Sequence, residues 1–195
     1  MPTLDRVEEE MYSHEHLWRS SSYLLNTSIE RELESHHLLL PALLMAYMAY
    51  EAFVNFAGYA VLPDLWADER ENFKGQGTEG KLKRIVAEIP QFKWTKGQKP
   101  YQAVKRLEDF RNMVAHGKVL ASDYVVPALP NGTHIRFSHA WDSYLTFAAV
   151  KDSRAAIEQF CQSLVLELRN ICEHPHLIHD AFQGSLGSAR TSSDS

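Results

Sequence analysis

Leu38 to Leu62 read LLLPALLMAYMAYEAFVNFAGYAVL, and the interpretation of these 25 residues decides the fold. The run is long enough to cross a bilayer as one helix. Against that, Glu51 and Asn55 lie well inside it, and a carboxylate at membrane depth costs about 2.5–3.5 kcal/mol. No cluster of Lys or Arg flanks the run to anchor a span or set its orientation. A central bundle helix, buried on most sides, accounts for the same residues at lower cost. The start, MPTLDRVEEE, lacks the basic-then-apolar pattern of a signal peptide. The expectation is therefore a cytoplasmic protein that does not engage a membrane.

Outward from that helix, the apolar spacing is again helical. Leu4, Val7, Met11, Leu17, Leu24 and Leu25 suggest one or two amphipathic helices before it. Pro41 is expected in the first turn of the long helix, and Leu62-Pro63-Asp64 ends it. A short helix follows around Leu65 to Phe73, then one over Glu79 to Glu88 with Thr78 as its cap. The next runs from Tyr101 to His116, with Val104, Leu107, Phe110 and Val114 inward and Gly117 closing it. Val119-Leu120, Tyr124-Val125-Val126 and His134 to Phe137 change to a strand period around the Asn131-Gly132 turn signal. Helical period returns from Ser143 to Glu173. The fold class expected is mainly α: an antiparallel helical bundle, residues 1–182, with a small β-hairpin insertion at 119–138 and a disordered tail at 183–195.

A chain of 195 residues fits a single domain with a sizeable core. Two cysteines, Cys161 and Cys172, are too few for a disulfide scaffold and suit a reducing compartment. The formal charge of -5 argues against a polyanionic partner only if it is evenly spread. Residues 1–73 carry 4 basic and 13 acidic side chains, residues 74–118 carry 11 and 4, and the remainder carries 5 and 8. A basic middle thus lies between acidic ends. Lys93, Lys96, Lys99, Lys105, Arg106 and Lys118 are the candidate RNA-binding residues there, with Trp94 and Tyr101 among them for base stacking. The competing reading is a solvated lysine-rich face with Phe92 and Trp94 packed inward.

The same region holds the most informative motif, Arg111-Asn112-Met113-Val114-Ala115-His116. Arginine binds phosphate oxygens through a planar fork, and histidine imidazole titrates near neutrality and moves protons. Five residues separate them, about 140° around an ideal helix, so one turn does not stack them. Their groups can still share a cleft completed by a second copy of the chain. A bland alternative pairs Arg111 with Glu108 or Asp109 and leaves His116 at the helix end. On the long helix Tyr47, Glu51 and Asn55 recur at four-residue spacing on one face. A buried carboxylate needs a partner, and Arg111 is a candidate. Glu51 then either orients Arg111 or serves the fold alone.

The run RNMVAHG resembles the signature of the HEPN superfamily: Arg, a polar residue, three variable residues, then His. The resemblance extends over residues 36 to 118, through the polar row on the long helix and the lysine-rich connection. It implies a metal-independent endoribonuclease, needing no cofactor, that works as a homodimer with both subunits lining one cleft. His116 would be the acid/base that assists attack of the ribose 2′-hydroxyl on the adjacent phosphate. Arg111 would stabilise charge on the phosphoryl oxygens, and Asn112 would orient His116 or the phosphate. The products would be 2′,3′-cyclic phosphate and 5′-hydroxyl ends, and single-stranded RNA the preferred substrate. The resemblance also implies a toxin or defence setting with an antitoxin or defence-system protein as partner. In toxins of that kind a Tyr often stands two residues beyond the His. Lys118 occupies that place here, which weakens that pairing.

The alternative is a noncatalytic HEPN-like scaffold or regulatory module that binds RNA, a nucleotide or a protein. An unrelated helical interaction protein is the third reading. His174, His176 and His179 surround Pro175 without an accompanying Cys or carboxylate pattern, so no metal site is expected.

Overall fold

The structure is a computed structural model that describes residues 6–31, 35–92, 95–117, 141–172, 180–182 and 187–192. Among these, seven helices form the bundle: α1 (Ser13–Glu30), α2 (Ser35–Val61), α3 (Pro63–Trp66), α4 (Glu69–Asn72), α5 (Gly77–Ala87), α6 (Lys99–His116) and α7 (Phe147–Ile171). Strands β1 (Arg6–Met11) and β2 (Gly187–Ser192) pair antiparallel, with Arg6 opposite Ser192 and Met11 opposite Gly187.

The expected β-hairpin insertion is corrected: the bundle is all-α, with no hairpin among the described residues. Residues 118–140, which span the expected insertion, lie outside them. The strand period there rests on segments of only two to four residues, too short for periodicity alone to specify a strand. The strand pairing that is described joins the two ends of the chain. Local periodicity cannot register such a pairing, and part of the segment expected as a disordered tail contributes to it.

The core forms around α2. Ala42, Ala46, Phe53, Val54 and Ala57 are fully buried, and the small alanines let neighbouring helices approach closely. Complete burial of a ring such as that of Phe53 contributes about 2 kcal/mol. Helix α7 supplies Ile157, Cys161, Leu164 and Leu168, and α6 supplies Val104, Leu107 and Phe110. Helix α2 is the one described helix long and apolar enough to cross a membrane, and half of its most apolar stretch is buried in the bundle. Pro41 is inside α2, the seventh residue of the helix, rather than in the first turn. The helix therefore tolerates one missing N–H donor.

Polar groups pin the packing. Ser21 donates to the Ala42 carbonyl at 2.6 Å, tying α1 to α2. Arg154, on α7, is 9% exposed, stacks 3.8 Å from the Trp18 ring and donates to the hydroxyls of Ser21 and Ser22. Burial pulls its pKa down to about 10, and Glu158 opposes the shift, so it stays charged at neutral pH. At the start of α7, Thr146 accepts from the Ala149 N–H at 3.1 Å as a helix cap.

Candidate functional site

The polar row of α2 meets α5 and α6. Thr78, in the first turn of α5, donates its hydroxyl to Glu51 Oε1 at 2.9 Å. It does not cap α5, whose cap position is Gln76, and the Gln76 side chain makes no capping bond there. Arg111 Nη2 of α6 approaches Glu51 Oε2 at 3.5 Å, so one carboxylate joins all three helices. Tyr47 is 2% exposed beside Thr78. Burial pushes its phenol well above the ordinary range, with Glu51 and Glu108 adding to the shift and Thr78 and Arg111 opposing it. It is a neutral hydroxyl at any working pH. Asn55 takes a different partner: its side-chain oxygen accepts from Lys81 Nζ at 2.8 Å, and Lys81 also pairs with Glu69. The residues at four-residue spacing thus dock α2 against α5, and only Glu51 reaches Arg111 directly.

At the end of α6, Arg111 Nη1 donates to the side-chain oxygen of Asn112 at 2.9 Å. Asn112 is therefore spent on Arg111, its neighbour in sequence. The Arg111 side chain remains 41% exposed. A guanidinium has five N–H donors, so donors remain for a phosphate beyond the two contacts just named. Arg111 does not pair with Glu108 or Asp109; both approach Lys105 instead, at 2.7 and 4.0 Å. His116 is the last residue of the helix and is exposed. Gly117 follows at φ 52°, a left-handed conformation that suits glycine, and its N–H returns to the Val114 carbonyl at 3.2 Å. His116 stands nine residues from buried Leu107, about 180° around the helix, so it faces directly away from the core. Within one chain the structure joins Arg111, Asn112 and Glu51, and leaves His116 on another face.

Much of the basic segment is neutralised locally. Glu79 holds Lys83 at 3.1 Å and Lys96 at 3.2 Å, and the Lys83 contact leads in drawing its carboxyl below the usual range. Glu108 accepts from Lys105 and pushes the Lys105 ammonium above its ordinary value. Tyr101, near Glu79, has its phenol raised, first by burial and then by that carboxylate. Lys99 and Arg106 lie elsewhere, on the side of α6 that faces α7. The Arg106 guanidinium sits 4.5 Å from the centre of the Tyr144 ring. Lys93 and Lys118 are outside the described residues, as are Trp94 and the histidines at 174, 176 and 179. Among the described residues no group of three His, Cys, Asp or Glu side chains is placed to hold a metal ion.

Thr78 and Lys81 are polar partners that the sequence does not announce. Thr78 carries a signal only as a helix cap, and Lys81 none beyond its charge. Both act across a helix interface, where spacing along one chain segment says nothing about the partner. Comparison of the chain with protein-family models, with curated proteins and with solved structures returns no match.

Proposed function

We propose that this protein is a metal-independent endoribonuclease that cleaves single-stranded RNA by attack of a 2′-hydroxyl on the adjacent phosphate. The reading rests on the RNMVAH run and its likeness to the HEPN signature. The observation that carries it is Arg111, fixed by Glu51 and Asn112 yet with donors left over at an exposed surface. A positioned guanidinium of this kind stabilises charge as it develops on phosphoryl oxygens. His116 supplies the proton transfers. Because His116 and Arg111 face different ways on α6, a working cleft draws Arg111 from one copy and His116 from a second, in a cytoplasmic homodimer. Asn112 and Glu51 are positioning residues for Arg111, and Tyr47 and Asn55 act through the α2–α5 packing.

The test is incubation of purified protein with labelled single-stranded RNA in EDTA, beside His116→Ala and Arg111→Ala. Each substitution lowers the rate by about 100-fold or more, the scale of losing one general acid/base or one charge-stabilising donor. Cleavage that persists in both variants would falsify the mechanism.

A second reading has an observation of its own. Glu51 and Asn112 already engage Arg111, so the pair also suits a noncatalytic scaffold in which Arg111 serves only the packing of α6 on α2. That reading expects no cleavage of any RNA and a loss of stability, rather than of activity, on Arg111→Ala.

A further inference from the structure

The basic segment separates into two groups. Lys74, Lys81, Lys83, Arg84, Lys96, Lys105 and Arg111 each have a carboxylate within 4.0 Å. Among the described residues of that segment only Lys99 and Arg106 have none. Both line the same open groove, of about 860 Å³, between α6 and α7. They are seven residues apart, so they share one face of α6 and lie about 10 Å apart along its axis. Tyr144 forms part of the groove; its ring stacks on Phe110 with centroids 4.6 Å apart, and the Arg106 guanidinium lies 4.5 Å over the ring centre. Gln102 and Gln159 add hydrogen-bonding groups, and Asp152 places one carboxylate on the α7 wall.

We infer that this groove is the track for a single RNA strand, a proposal that takes its choice of nucleic acid from the ribonuclease reading above. Lys99 and Arg106 hold phosphates of one strand along the α6 wall. Their separation spans roughly three stacked nucleotides at about 3.4 Å each. Arg106, backed by the Tyr144 ring and through it by Phe110, offers the outer face of its planar guanidinium as the platform for one base. Asp152 keeps the backbone off the α7 wall and so sets the strand's side. The residues that specify binding are therefore Lys99, Arg106 and Tyr144, and not the more numerous lysines already held by Glu79 and Glu108.

Binding is read by fluorescence anisotropy with a short labelled single-stranded RNA in EDTA, on the full chain carrying His116→Ala so that no strand is cut. The double variant Lys99→Ala/Arg106→Ala weakens binding about tenfold or more and flattens the log–log salt slope by about 1.4. Tyr144→Leu weakens it about fivefold without changing the salt slope. Asp152→Asn tightens it, and Arg84→Ala, which removes an exposed cation elsewhere, leaves it unchanged. Unaltered thermal midpoints confirm that the exposed substitutions leave the fold intact. Three results overturn the proposal: the same affinity in the double variant, equal affinity for a mononucleotide, or equal competition by an acidic peptide. Cleavage assays separate this proposal from the one it rests on. If the double variant without His116→Ala cuts RNA at the parental rate, the groove fails and the nuclease stands. If the parent binds RNA through the groove and cuts none, the groove stands and the nuclease fails.

Discussion

His14 shows how one buried side chain makes stability depend on pH. It is 5% exposed, with Phe53, Phe56 and Phe182 about its ring, and burial lowers its pKa to about 4. In the unfolded chain a histidine titrates near 6.5. Above that value both states are neutral there and His14 contributes its full stability. As pH falls below it, the unfolded chain gains a proton that the folded chain refuses until about pH 4. Urea unfolding should therefore show about 2 kcal/mol lost between pH 7 and 5 through this group. His14→Phe should remove that share, which isolates it from carboxylates such as Asp180 nearby. A variant whose loss across that range equals the parent's would show that His14 is not responsible. The candidate site poses a similar residue-level contrast. Arg111 and His116 can be picked out as residue types, whereas Thr78 at Glu51 cannot. A hydroxyl donor to a carboxylate 27 positions away leaves no periodic trace.

At the scale of elements, Gly58 sets how closely α3 can approach α2. A Cβ added there would stand 2.0 Å from the Trp66 ring. Trp66 is 8% exposed and stacks tilted on Phe73 at 4.6 Å, so the indole has little room to swing away. Alanine gains about 1 kcal/mol of helix propensity over glycine, while forcing an extra methyl into a tight core costs about 1–3 kcal/mol. The clash wins at this separation, and Gly58→Ala should lower stability to chemical denaturation by about 1–2 kcal/mol. In a Trp66→Ala background the same change should be neutral or stabilising; destabilisation there would point to another cause. The long helices are legible because their stripes are long. Ile157, Phe160, Leu164 and Leu168 are all buried on α7, and Val104, Leu107 and Phe110 on α6. Where the stripe is short, periodicity misleads. One expected helix over Leu65 to Phe73 is two four-residue helices, and β1 covers residues whose spacing suggests the start of a helix.

At the scale of the whole molecule, the proposed ribonuclease reading would make the number of copies part of the chemistry. Arg111 faces α2 and His116 faces solvent, so under the proposed shared cleft two defective copies would complement one another. Mixing Arg111→Ala with His116→Ala protein, and allowing subunits to exchange, should restore up to about a quarter of parental cleavage. Half the dimers are then mixed, each with one of two sites intact. No recovery on exchange would remove the shared cleft. The central place of α2 also bears on how the chain is made. This most apolar helix ends at Val61, and α1 covers it first, but part of its cover comes from α7, which ends at Ile171. Roughly 110 residues, or about 5–20 s of translation, separate the two events. During that interval the nascent chain displays a long greasy surface with α1 as its early shield. Docking of α7 must wait until that helix has emerged. Until α7 arrives, the α2 face it covers is exposed surface on which premature association of nascent chains can begin.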